Sequence, residues 1–264
     1  MERILLNDNA QYSLNAFDKQ YFVVDKSVNH IKVPAGINVD ILFLSLPQEK
    51  EIDIDIDQNS FVNISILAKE NIDGYQLNLN VKENSQVEAY FADFSKKKSV
   101  FSFNANLLGR GSSLNWHLSS LTAEKDNKHF DISVNHISPE TYARMDNYGV
   151  CKDDGKLVFS GISTINNGSK RSKTHQNSKI MVFDALSNGI AKPILKIDEN
   201  DIEASHAAVV GKINDEHLFY LTSRGLTESA AKELITFGYL KPIMNGFVEE
   251  DIKEEIVKLI EGRM

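Results

Sequence analysis

Cysteine is almost absent from this chain. Cys151 is the single thiol in 264 residues, so no internal disulfide can form. Nor can the chain alone supply the thiolates of a structural zinc site or a cysteine-ligated cluster. Proline is scarce, 5 against 14 glycines, and the composition is neither collagen-like nor low-complexity. No apolar run approaches the roughly 18 residues of a membrane helix. The first residues, MERILLNDNAQYSLN, lack the basic start and apolar core of a signal peptide. A soluble cytoplasmic protein is the expectation. Positive charge is in deficit, with 29 Lys and Arg against 37 Asp and Glu and a formal net charge of −8, which argues against a broad nucleic-acid surface. Also missing are a GxxxxGK[ST] loop, a GxGxxG turn, a GxSxG elbow, an HExxH pair and any Cys-x-x-Cys.

What is present is period-two alternation. In Glu51-Ile52-Asp53-Ile54-Asp55-Ile56-Asp57, Ile alternates with acid, so one face is buried and the other hydrated. The pattern recurs through Val62/Ile64/Ile66, Leu77/Leu79/Val81, Val87/Ala89/Phe91 and Phe101/Phe103/Ala105, then Leu114/Trp116/Leu118 and Phe130/Ile132/Val134. Punctuation falls at Asn71–Gly74, Gly109–Gly111 and Asn166–Gly168. From about Ile31 to Ile213 this is an all-β core. Spacing alone leaves a sandwich, a barrel and a parallel β-helix open, and gaps near a dozen residues lean towards a solenoid. Beyond Ile213 the period becomes helical: Asp215–Ser223 with Leu218, Phe219 and Leu221, ended by Gly225; Glu228 to about Phe237 with Thr227 as N-cap; and about Glu249–Glu261 with an acidic first turn.

Candidate chemistry is thin. The seven histidines, His30, His117, His129, His136, His175, His206 and His217, show no metal-ligand spacing. Ser169–Lys173 and Lys96–Lys98 are short basic stretches without interleaved aromatics, better read as solvated loops than as nucleic-acid contacts. Asp53, Asp55 and Asp57 share one strand face and read as its solvent side, although such carboxylates also admit a β-helix enzyme acting on polysaccharide. Cys151 has Lys152 beside it but nothing else that nominates it, and reads as incidental.

The run Ala204-Ser205-His206-Ala207-Ala208-Val209-Val210-Gly211-Lys212-Ile213, continuing through Asp215–Leu226, resembles the SufB/SufD family of SUF iron-sulfur cluster assembly scaffolds, with its Cys-Ser-His-Gly-Ala-Thr-Val-Gly and Leu-Phe-Tyr-Leu-x-Ser-Arg-Gly blocks. Lys192–Ile197, Thr174-His175-Gln176 and Gly155–Gly161 match further family segments, and His136 falls at a recurring family histidine. The resemblance implies a right-handed parallel β-helix over residues 1–213 and a C-terminal helical domain over 214–264 that docks a SufC-like ABC-type ATPase. The family's scaffolds pair, here with a SufB-like paralogue, or with a second copy in a minimal system. It implies a non-enzymatic scaffold whose iron-sulfur cluster is transient and shared with the partner, none being bound autonomously; a flavin is left open. Around Met181, where SufB carries a cysteine on the preceding residues, Gln176–Lys179 offers no thiol, and Ala207 stands where SufB has an acid; both favour a SufD-like chain, shortened at its N-terminus. His206 is then the expected cluster ligand at the scaffold interface, and Phe219, Arg224 and Gly225 are the expected partner-binding residues.

Overall fold

The computed structural model describes residues 3–6, 20–24, 26–47 and 49–264. The first eight strands are β1 (Arg3–Leu6), β2 (Gln20–Val24), β3 (His30–Val33), β4 (Asn38–Phe43), β5 (Glu51–Ile56), β6 (Phe61–Ala68), β7 (Ile72–Val81) and β8 (Gln86–Asp93). The second eight are β9 (Lys98–Leu107), β10 (Ser113–Thr122), β11 (Asn127–His136), β12 (Tyr142–Cys151), β13 (Lys156–Ile165), β14 (Ser172–Val182), β15 (Asn188–Ile197) and β16 (Ile202–Lys212). Three α-helices follow: α1 (Asp215–Ser223), α2 (Glu228–Leu240) and α3 (Glu250–Glu261), with a 3-10 turn at Lys241–Gly246 between the last two.

The even strands, preceded by β1, form a nine-stranded sheet, and the odd strands β3 to β15 form a seven-stranded one. Their pairings are parallel, for example β10 with β12 and β11 with β13. The chain therefore winds as a parallel β-solenoid, alternating between the two sheets at each step. Circumference is not constant. Asn38 pairs twenty-three positions on with Phe61, Phe61 twenty-five on with Gln86, and Gln86 twenty-seven on with Ser113. Ser113 then pairs twenty-nine on with Tyr142, and Tyr142 thirty-one on with Lys173. Two strands, β1 and β2, precede the region where alternation is read from sequence, because their residues carry no sustained alternation.

Alternation has the expected result. On β9, β11 and β13 every second residue is buried, and the inward set packs between the sheets around Phe91, Phe101, Phe103, Trp116, Phe130 and Phe159. Phe103 and Trp116 stack at 4.2 Å and Phe91 and Phe101 at 4.3 Å between ring centroids. The odd sheet's outer face carries rows of amides. Asn78 and Asn80 donate to Asp53 and Asp55 at 2.9 and 2.8 Å, Asn104 and Asn106 donate to Asn78 and Asn80, and Asn135 donates to Asn106 at 3.0 Å. The Ile/Asp strand thus turns its acids to the solvent side, held by amides of the next coil. One punctuation signal is displaced: Gly74 lies inside β7, at φ +78°, where the register slips between Asp73 and Tyr75. A glycine accommodates such a bulge without ending the strand.

Corners repeat a two-residue device. Asn59, Asn84, Gly111, Glu140 and Arg171 have positive φ, and each precedes a buried hydroxyl: Ser60, Ser85, Ser112, Thr141 and Ser172. The hydroxyls link adjacent coils, as in Ser60 N donating to Ser85 Oγ at 3.0 Å and the Thr141 Oγ1–Ser172 Oγ contact at 2.8 Å. The basic segment at 169–173 is accordingly only part loop: Ser169 and Ser172 are buried, and Ser172 opens β14.

The C-terminal ends of the even strands as far as β12 are covered on their outer side. Leu67, Ala92, Phe94, Leu121 and Val150 pack beneath Leu240, Ile243, Phe247, Ile252, Ile256 and Ile260, which is why β8 and β10 end in runs buried on both faces. The helices after α1 are thus built onto the β core. Beyond α3, Arg263 pairs with Asp126 and donates to the Phe94 and Ser95 carbonyls, while Lys128 pairs with Asp93 at 2.8 Å, both side chains fully buried.

Candidate functional site: the open end of the solenoid

Among the described residues the last coil has no successor. Both β15 and β16 lie at a sheet edge with one neighbour each, so each offers a row of unpaired backbone groups. The register puts Ile202, Ala204, His206, Ala208 and Val210 on the same face as Ser172, Thr174, Gln176, Ser178 and Ile180. The β14 set is buried and faces the interior. Its β16 continuation faces the same way but stands open: His206, Ala208 and Val210 are exposed, Val210 at 45%. An apolar inner face ending in water is a surface that asks for cover.

His206 sits at the middle of that face, exposed on β16 and paired with Gln176. The interior behind it is polar where earlier coils are aromatic. Gln176 donates to Ser163 and Thr174 donates to the same hydroxyl, each at 2.8 Å; Trp116 donates to Asn147 at 3.0 Å, and Asn147 to Ser178 at 3.1 Å. Across the last two coils, His175 meets Ser205 Oγ at 2.8 Å on the outer side, and Lys173 pairs with Glu203 at 2.9 Å.

His136, the other histidine the sequence singles out, is fully enclosed. Its Nδ1 meets Thr141 Oγ1 at 2.7 Å, and burial pushes its pKa down to about 4, so the ring is neutral. It lies among packing residues, not at the open end. Cys151 is buried on the inner face, with the Asn188 carbonyl 3.8 Å from its sulfur. Burial pushes its thiol up to about 11, an inert setting. Among the described residues, no three or more His, Cys, Asp or Glu side chains are grouped to hold a metal, and no helix is long and apolar enough to cross a membrane.

The other expected site residues cluster on α1 and its end. The Asn214 side chain caps the helix, accepting from Glu216 N at 2.8 Å and His217 N at 3.2 Å. Arg224 is the C-cap, its guanidinium 5.2 Å from the Tyr220 ring centroid. Gly225, at φ +98°, donates from its amide to the Thr222 carbonyl at 3.0 Å. Both therefore terminate the helix, whatever else they touch. No residue of α1 is buried, and Phe219 is 74% exposed with Tyr220 beside it. Sequence reasoning named Phe219 but not Tyr220; the available signal was two adjacent large aromatics on a helix too short to bury both. It also gave Gln176 no role, since a buried polar side chain is visible only once the register is known.

A family model described as SUF system FeS cluster assembly, SufBD core domain, matches residues 48–239. The iron-sulfur cluster assembly protein SufD of Bacillus subtilis is 33% identical over 137 residues, 52% of this chain and 31% of that protein. A SufBD family protein of Staphylococcus saprophyticus is 23% identical over 235 residues, 87% of this chain and 50% of that protein. One from Mycobacterium tuberculosis is 30% identical over 129 residues, 49% of this chain and 15% of that protein. The chain thus spans half or less of the length of these relatives. With the matched segment running from β5 to the last turn of α2, the chain belongs to the SufBD core family of the SUF iron-sulfur cluster assembly system.

Proposed function

We propose that this chain is a SufD-like scaffold subunit that builds iron-sulfur clusters jointly with a SufB-like paralogue and SufC-like ATPases in the cytoplasm. The observation that carries the reading is the uncovered last coil, where an apolar inner face and two free sheet edges surround one exposed imidazole. A partner's last coil, laid against this one, buries the apolar face and brings its own thiolates to His206. A neutral imidazole then serves as an iron ligand in place of a cysteine. The cluster is cargo shared across the interface and is not resident in the isolated chain.

The unpacked α1 supports the second half of the reading. A nine-residue helix with no buried side chain is marginal by itself, and Phe219 and Tyr220 give an ATPase subunit an aromatic anchor pair. The chain carries no phosphate-cradling loop, so nucleotide hydrolysis belongs to the partner and its motion reaches the scaffold through the helices. Nothing favours nucleic acid or membrane as a partner.

Anaerobic co-purification from native lysate tests this. Recovery of a SufB-like paralogue and a SufC-like ATPase is expected; recovery of neither overturns the reading. A stable dimer of this chain with the ATPase alone would assign it instead to a homodimeric minimal scaffold. Replacing His206 by alanine is expected to leave the complex assembled but lower cluster yield, measured by absorption spectroscopy, and an unchanged yield removes the ligand role.

A further inference from the structure

Gln176 bridges the two sheets in the penultimate coil. It is 4% exposed, and its Nε2 donates to Ser163 Oγ at 2.8 Å and to the Ile194 carbonyl at 3.0 Å. A main-chain carbonyl only accepts, so the nitrogen end must face Ile194 and the amide's orientation is fixed. The other end, Oε1, is buried and has no hydrogen-bond partner among the described residues, a condition few buried acceptors in native proteins share. Opposite it lies Gly161, whose missing Cβ would stand 3.0 Å from that oxygen.

The register sets His206 beside Gln176. Gln176 and His206 are paired on adjacent parallel strands and share the inner face. Of the residues that the last coil turns inward, the β15 positions paired with Leu157 to Ile165 and the β16 positions paired with Ser172 to Ile180, His206 alone has a polar side chain. Its ring is exposed and free to change rotamer, whereas the amide is held at its nitrogen.

We propose that Gln176 is a positioning residue for His206: its free carbonyl oxygen accepts a hydrogen bond from one ring nitrogen, and so leaves the lone pair of the other nitrogen bare and directed out of the open end. An acceptor behind an imidazole fixes both tautomer and ring orientation, the arrangement that makes histidine an effective iron ligand. The inference deepens the ligand reading of His206 and rests on it for its purpose. The tautomer itself exists whether or not iron binds.

The test is a long-range proton–nitrogen correlation spectrum of the full chain, labelled with nitrogen-15 histidine at about pH 8, above the ordinary imidazole range. The His206 signals are identified by their loss in His206→Asn. In the wild-type chain one ring nitrogen is expected to be protonated and the other bare. Gln176→Leu preserves bulk and removes the amide, and is expected to cut the tautomer preference about five- to tenfold, the weight of one net hydrogen bond. Gly161→Ala keeps the amide but crowds its oxygen and is expected to shift the signals in the same direction; it decides the matter should Gln176→Leu fail to fold. Unchanged His206 signals in the folded variants overturn the proposal and leave Gln176 a strut between sheets. If the tautomer responds as expected while His206→Ala still builds clusters normally, the ligand reading fails and the positioning stands.

Discussion

His136 and His206 both face the inside of the solenoid, yet one behaves as core and the other as surface. His136 ends β11 with coils on both sides, is fully buried and titrates near 4. His206 lies on β16 with a coil on one side only. Local sequence does not distinguish them, since each sits on a β-strand with inward alternation. Cover by a neighbouring coil does, as expected for a fold in which each repeat touches only the next. The same contrast separates Phe103 and Trp116, packed ring on ring, from Val210, which meets solvent.

The widest break in that comparison comes from the closed coils. Trp116→Ala removes a buried ring and strands the Asn147 carbonyl that its indole N–H satisfies; a loss of about 3–5 kcal/mol is expected in urea unfolding. A value below about 1 kcal/mol would mean that the middle coils are no better packed than the last. Next comes acid. His136 binds its proton near pH 4 when folded and near 6.5 when unfolded. Between those values the unfolded chain holds the extra proton, so stability present in full above about pH 6.5 falls as pH drops, by about 3 kcal/mol once pH 4 is passed. Stability curves of His136→Gln should lose that slope. An unaltered slope would show that the enclosed ring is not the acid-sensitive group.

At the open end the expected effects on the isolated chain are small. Val210→Ala should change unfolding by no more than about 0.5 kcal/mol while weakening association with a partner scaffold in analytical ultracentrifugation. A core-sized destabilisation would show that the isolated chain already covers its last coil. Smallest of all, Asn104→Ala takes one amide from the outer rows and is expected to cost well under about 1 kcal/mol by thermal unfolding.

Much of the solenoid was legible. Ile52, Ile54 and Ile56, like Phe101, Phe103 and Ala105, announce inward faces that the structure fills, and Thr227 marks the start of α2 by the bond it makes to Ala230 N at 3.2 Å. The choice between solenoid and barrel was not legible from period alone, because coils that lengthen by two residues per turn leave no fixed repeat. The trace that survives is the corner pair, a left-handed residue then a hydroxyl, at Ser60, Ser85, Ser112, Thr141 and Ser172. Its spacing drifts, so it emerges only when the coils are already aligned. The candidate site is nominated by the Ser205-His206 block and not by burial: nothing in a sequence says which coil will be last.

The amide rows on the odd sheet have a consequence for the molecule in solution. Asn78, Asn104 and their neighbours give their hydrogen bonds to the previous coil, ending on Asp53 and Asp55. A broad flat sheet is ordinarily a template for lateral stacking and fibre growth. Here its outer face has spent its donors on itself and carries charge at one end, so it offers little for another sheet to grip. Lateral adhesion through that flank is thereby disfavoured, which leaves the open end of the solenoid and the exposed aromatics of α1 as the surfaces available for contact.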